Sequence, residues 1–147
     1  VEKQGIIRHG AKFISAMSSA TVPKISVIVR KAYGAGVYAM CGPAFEPDVC
    51  IALPTAQIAV MGPEAAVNAV YSNKIEAIED LKERMAFVKE NIEEYKQEID
   101  LYKLASEMVI DEIVAPSKLR QTLVQRLHYY GTKQIVLPYR KHPVYPV

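Results

Sequence analysis

The passage from residue 25 to residue 41 constrains the fold most. Ile25-Ser-Val-Ile-Val29 is β-branched and almost wholly apolar. A half-exposed strand alternates polar and apolar residues, so an unbroken run of this kind reads as a strand covered on both faces. Gly34-Ala35-Gly36 follows within a few residues, and the stretch on to Cys41 reads as the opening of a helix. A buried strand, a turn of small residues and a helix start, in that order, indicate α/β architecture. Such a turn leaves backbone N–H groups without partners, and these favour negative charge. On pattern alone a steric role for the glycines explains the turn equally well.

The rest of the chain supports the same class. Ile6, Ile7, Ala11, Phe13, Ile14 and Met17 recur at helical spacing, which predicts a helix over 5–19 that Pro23 ends. Gly42-Pro43 and Glu46-Pro47-Asp48 predict a loop. Buried strands are expected over 49–53 and 57–61, and Gly62-Pro63 with Glu64 suits a second helix start. The order strand, glycine, helix start therefore occurs twice. Ile78, Leu81, Met85, Val88, Ile92, Tyr95, Ile99 and Tyr102 alternate at intervals of 3 and 4, predicting one long amphipathic helix, or two joined, over 74–106. A short strand or extended segment is expected over 108–114. A last helix begins at Pro116-Ser117, with Ser117 as N-cap, and Gly131 ends it. From Thr132 the prolines predict an extended arm, apolar enough to pack on a neighbouring subunit.

Size and charge narrow the function classes. A chain of 147 residues, half of them hydrophobic, is one domain with a real core. No apolar run is long enough to span a membrane. Cys41 and Cys50 make neither a metal site nor a disulfide framework, so a reducing, cytoplasmic location is expected. Ten of the 16 acidic residues lie between Glu76 and Glu107, and none follows Glu112. The basic end is read as a solvated surface that pairs with the acidic helix, and no nucleic-acid partner is expected. His9, His128 and His142 lack metal-ligand spacing, and no metal is expected. No nucleophile–base arrangement, HExxH motif or phosphate loop is present, and Gly34-Ala35-Gly36 is not a dinucleotide fingerprint. The opening Val-Glu-Lys-Gln runs almost directly into a helical pattern, as in a piece of a longer protein.

Two segments carry a resemblance. Lys31-Ala-Tyr-Gly-Ala-Gly-Val-Tyr-Ala-Met40 and Leu53-Pro-Thr-Ala-Gln-Ile-Ala-Val-Met-Gly-Pro-Glu-Ala-Ala-Val67 resemble the carboxyltransferase (β) subunit of biotin-dependent acyl-CoA carboxylases. That family includes propionyl-CoA and methylcrotonyl-CoA carboxylases and the related glutaconyl-CoA and methylmalonyl-CoA decarboxylase subunits. Gly5-Ile-Ile-Arg-His-Gly-Ala-Lys12, Ala20-Thr-Val-Pro-Lys24 and Arg140-Lys-His-Pro143 add to the resemblance, which runs from end to end. It implies a crotonase-like spiral of ββα units. Residues 1–147 would be the C-terminal portion of the second of two such halves. The first half carries most of the acyl-CoA site in this family.

The resemblance further implies transfer of carboxylate from carboxybiotin to the α carbon of a short, propionyl-CoA-like acyl-CoA. Biotin would be the cofactor, brought by a biotin carboxyl carrier protein that a biotin carboxylase serves. A homo-oligomer is expected, and the isolated chain is expected to be inactive. Chemistry of this type relies on backbone donors at developing oxyanions rather than on side-chain acids and bases. Carried over, those donors are the N–H groups of Ala35 and Gly36, with Gly34, Val37, Tyr38 and Gly62 as biotin- or substrate-binding neighbours. The commonest family form of the turn is Gly-Gly-Ala; Gly-Ala-Gly is the methylcrotonyl-type form and keeps the backbone donors. Tyr38 stands at a position that the family links to acyl-chain choice, although ordinary aromatic packing suits it as well. Two other readings stay open: a decarboxylase subunit running the same half-reaction in reverse, and a non-catalytic assembly subunit.

Overall fold

The computed structural model describes residues 2–136. The chain begins with a single 3-10 turn and then helix α1, Ile6–Ser19. Strands β1, Ile25–Ile28, and β2, Lys31–Tyr33, lead into α2, Ala35–Ala39. A second 3-10 turn over Pro43–Phe45 precedes β3, Val49–Ala52, and β4, Gln57–Ala59. Helix α3, Pro63–Ala77, α4, Leu81–Glu98, and α5, Leu101–Ser106, come next. Strand β5, Glu112–Ile113, and α6, Pro116–Tyr130, complete the described part.

Two successive ββα units make up the centre. Strand β1 pairs in parallel with β3, Ile25 opposite Val49, and β3 pairs in parallel with β5. Strand β2 pairs in parallel with β4, Lys31 opposite Gln57. Each unit thus lays its first strand in one sheet and its second in the other, with strand orders β1-β3-β5 and β2-β4. The corners are tied together as well. Leu53 N–H donates to the Ile28 carbonyl at 2.9 Å, Gln57 N–H to the Arg30 carbonyl at 2.7 Å, and the Thr55 hydroxyl to the Val29 carbonyl at 2.8 Å.

Strand β3 forms the core, and every residue of it is buried. Its side chains alternate. Cys50 and Ala52 face Ile28, Ala56, Leu101 and Ile110, while Val49 and Ile51 face Val114 with Leu119, Leu123 and Tyr130 of α6. A parallel strand is covered on both faces in this way because its crossovers place other elements above and below it.

Several expectations need correction. Strand β2 was not foreseen: its three residues were read as the approach to the turn. Strand β1 is only half-buried, with Ile28 its one buried residue. Among the described residues it is an edge strand, and Val29 beyond it is exposed. Strand β4 stops at Ala59, and Val60 and Met61 are exposed. The segment 74–106 is not one helix or a pair. Helix α3 ends at Ala77, and two aspartates start new helices: Asp80 accepts from Lys82 N–H at 2.6 Å, and Asp100 accepts from Tyr102 N–H at 2.8 Å. The guanidinium of Arg84 donates to the Ile78 carbonyl at the end of α3, at 3.0 and 2.5 Å. Helix α6 is preceded by Ala115, with Pro116 at its first position, so Ser117 lies inside the helix and does not cap it. Gly131 follows α6 in right-handed helical geometry rather than as a left-handed stop.

The basic end finds other partners than the acidic helix. Arg126 pairs with Glu112 at 2.8 Å, and Lys133 pairs with Asp48 at 2.5 Å. The remainder of the expected arm, with His142 and Arg140-Lys-His-Pro143, lies outside the described residues.

Candidate functional site

The turn after β2 is built by one glycine. Gly34 N–H donates to the Ala59 carbonyl at 3.1 Å, which completes the β2–β4 ladder. Its backbone then adopts φ 65° and ψ −149°, a region that only glycine enters without strain. A Cβ at this position would stand 3.3 Å from the Val60 carbonyl oxygen. The Gly34 carbonyl accepts from Val37 N–H at 3.2 Å and so begins α2.

Between these two bonds lie Ala35 and Gly36. Among the described residues, neither of their N–H groups donates to a backbone acceptor. These are ordinary first-turn donors. Helix α2 is only five residues long, so individual N–H groups carry any anion preference, and a summed dipole adds little. Both residues are exposed. Gly36 borders a groove of about 580 Å³ that also takes in Ser26, Arg30, Lys31 and Met40. A Cβ on Gly36 would meet nothing within 4 Å.

Val37 and Tyr38 are held by the far end of the same short helix. Gly42 N–H donates to the Val37 carbonyl at 2.7 Å, and Cys41 N–H donates to the Tyr38 carbonyl at 3.0 Å. Gly42 is sterically required, because its Cβ would lie 2.5 Å from the Val37 carbonyl oxygen. The ring of Tyr38 meets Phe45 edge-on, with centroids 6.4 Å apart. Gly34, Val37 and Tyr38 border a second, apolar pocket of about 300 Å³, whose other walls include Ile58, Val60, Leu104 and Val109.

Of the predicted site residues, Gly34, Gly36, Val37 and Tyr38 border the two cavities, and Ala35 lies between them in the chain without bordering either. Gly62 sits apart. It precedes α3 with φ −65°, its Cβ position faces the Tyr33 ring at 3.3 Å, and it borders neither cavity. Sequence reasoning missed Leu104 and Val109. The 3–4 spacing puts Leu104 in the helix expected over 74–106 and leaves Val109 in the strand or extended segment expected over 108–114; the break at Asp100 and the reversal at Met108 bring the two together.

The cysteines are not reactive groups. Burial raises both thiols; Cys50 is pushed to about 11 by burial, then by the charge of Asp111 and by Cys41. Among the described residues no three His, Cys, Asp or Glu side chains are gathered as a metal site would require. The described helices include none long and apolar enough to cross a membrane.

Comparisons agree with this geometry. The family model for the carboxyl transferase domain matches residues 1–145. An uncharacterized carboxylase of Bacillus subtilis (strain 168), YngE, is 66% identical over 147 residues, covering 100% of this chain and 29% of its own length. The methylmalonyl-CoA decarboxylase subunit alpha of Propionigenium modestum is 42% identical, covering 99% of this chain and 28% of its own. A crystal structure of the transcarboxylase 12S hexamer with methylmalonyl-coenzyme A and methylmalonic acid bound aligns with TM-score 0.83 and 42% identity, over 99% of this chain and 28% of that one. The β subunit of geranyl-CoA carboxylase from P. aeruginosa aligns with TM-score 0.78 and 28% identity, over 99% and 31%. The chain thus spans less than a third of the length of these relatives. Its paired ββα units are those of crotonase-fold carboxyltransferases. With the match running across nearly every residue, the chain belongs to the carboxyl transferase domain family.

Proposed function

We propose that residues 1–147 are the C-terminal portion of the carboxyltransferase component of a biotin-dependent acyl-CoA carboxylase. The complete protein would move carboxylate from carboxybiotin to the α carbon of a short acyl-CoA. The supporting observation is the Gly34 turn: among the described residues the N–H groups of Ala35 and Gly36 have no backbone acceptor, and Gly36 borders an open groove.

The residues present fit biotin. Two adjacent donors suit one carbonyl oxygen, and the space around Gly36 is open. Biotin, carried on a separate carrier protein, supplies an activated carboxylate. This chain's own part is positional. Ala35 and Gly36 hold their N–H groups toward an oxygen that gains charge, and the β2–β4 ladder fixes Gly34 behind them. Ser26, Arg30 and Lys31 bring polar groups to an adjoining groove whose lining is otherwise mostly apolar. No side chain here needs to gain or lose a proton, in keeping with buried thiols and the dispersed histidines.

A carrier protein, a biotin carboxylase and further copies of the chain are the partners this reading requires. The decarboxylase direction is a second reading, favoured by the 42% identity to a methylmalonyl-CoA decarboxylase subunit. Both use the same donors.

The test is Ala35→Pro in the full-length protein. Proline suits the first helical position, and the extended ψ of Gly34 tolerates a following proline. The substitution therefore deletes one donor and leaves the turn standing. Carboxyl transfer should fall about 10²- to 10³-fold with the melting temperature nearly unchanged. Full activity in a folded Ala35→Pro protein would leave the chain an assembly role instead.

A further inference from the structure

The apolar pocket on the far side of the turn has a back wall from elsewhere in the chain. Leu104 lies on α5, and Val109 follows the turn after it. Met108, exposed and left-handed at φ 59°, reverses the chain between them. Val109 N–H then donates to the Leu104 carbonyl at 2.9 Å, which sets the two side chains side by side. Leu104 also packs against the core around Cys50 and Ala52, so the wall is anchored to the central strand.

The two cavities flanking the turn differ in chemistry. The groove at Gly36 sets Ser26, Arg30 and Lys31 among mostly apolar neighbours. Among the described residues, the pocket at Gly34 is bordered by no charged side chain, and the Tyr38 hydroxyl is the one polar side-chain group on it. A ureido ring, with N–H and carbonyl groups to satisfy, suits the first; a hydrocarbon chain suits the second. At about 300 Å³ the pocket is at the small end for ligand sites. Resting on the function proposed above, we infer that Leu104 and Val109 set the length of acyl chain accepted by this carboxyltransferase, by closing the pocket that receives the hydrocarbon end of the thioester.

The experiment uses the full-length protein with acetyl-, propionyl-, butyryl- and hexanoyl-CoA. It measures kcat/KM for carboxyl transfer and the Kd of each thioester. One methylene in an apolar pocket is worth roughly 10- to 200-fold in discrimination. Leu104→Ala, which deepens the pocket, should raise the hexanoyl-to-propionyl ratio at least about tenfold. Val109→Phe, which fills it, should lower the butyryl-to-acetyl ratio by a similar factor, and Leu104→Met should stay near wild type. Loss of folding alone lowers every substrate together and leaves the ratios fixed. Unchanged ratios in folded Leu104→Ala and Val109→Phe proteins would overturn the inference. So would a raised KM for free biotin with constant acyl ratios, which would assign the pocket to biotin. A wild-type protein that transfers carboxylate to no thioester refutes the proposed function; the Kd series then decides the pocket alone, and absence of thioester binding sinks it too.

Discussion

Two glycines two residues apart should respond to alanine with opposite signs. At Gly34 the backbone sits at φ 65° and ψ −149°. A non-glycine residue held in that region costs about 1–3 kcal/mol. The added Cβ also comes within 3.3 Å of the Val60 carbonyl oxygen, which must shift by a few tenths of an ångström at the end of β4. Gly34→Ala should therefore cost about 2–4 kcal/mol, most of it conformational. Gly36 is the second residue of α2, and its Cβ position is open. Replacing glycine by alanine there restricts the unfolded chain without penalty in the folded one, a gain of about 0.4–1 kcal/mol. Urea denaturation of the full-length protein, with equal slopes as a control on the denatured state, measures both. Activity should separate them as well. Gly36→Ala keeps the N–H and should retain transfer within a few-fold. Gly34→Ala moves the donors, and a displacement near 1 Å can cost on the order of 10²-fold. If the two variants lose stability equally, the left-handed turn is not what Gly34 supplies, and the placement of Ala35 and Gly36 loses its cause.

Two further outcomes test other parts of the fold. Asp48 accepts from Lys24 N–H at 2.7 Å and pairs with Lys133 at 2.5 Å, with only 10% of its side chain exposed. Burial raises its carboxyl, but the bonds to Lys133 and Lys24 and their charges outweigh this and hold it below the ordinary 3.8. A lowered carboxyl contributes stability that is complete above the ordinary value and lost as pH falls through the folded one. Asp48→Asn should thus cost about 2–3 kcal/mol near neutrality, and the gap from wild type should close as pH drops below 3.8; a pH-independent gap in thermal melts would contradict the pairing. Asp80→Ala should destabilise by about 1 kcal/mol through loss of the cap on α4. Were 74–106 a continuous helix, alanine there would stabilise instead, so the sign of the change in circular-dichroism melts decides between the two structures.

The legible parts of the fold were those with one strong local cause. Val49–Ala52 is apolar throughout because both its faces are covered, and that coverage shows in the sequence as plainly as in the structure. Strand β2 was hidden because Lys31-Ala-Tyr33 is short and mixed; its strand character comes from pairing with Gln57–Ala59 rather than from its own residues. The 3–4 spacing from Ile78 to Tyr102 runs through two breaks, because an N-cap aspartate interrupts a helix without disturbing the period of the apolar residues around it. Leu81 and Met85, part of that spacing, are exposed. The basic end was misassigned because its partners, Glu112 and Asp48, come from the sheet region, and charge counts along a sequence carry no information on that.

The site was legible only in half, and the repeat explains which half. The two ββα units match strand for strand, and each turns into a helix after a glycine: Gly34 before α2 and Gly62 before α3. The sequence shows this repetition, and Pro63 already marks the second turn as different. The backbone adds to that. Gly34 is left-handed, whereas Gly62 is extended at φ −65° and could be another residue but for the Tyr33 ring beside it. At the first helical position the units diverge further. Ala35 offers an N–H, while Pro63 has none. The second turn therefore has no donor at its first helical position. One architectural position occurs twice in the chain, and only the first keeps an N–H at the start of its helix, where Gly36 borders the groove and Gly34 the pocket walled by Leu104 and Val109.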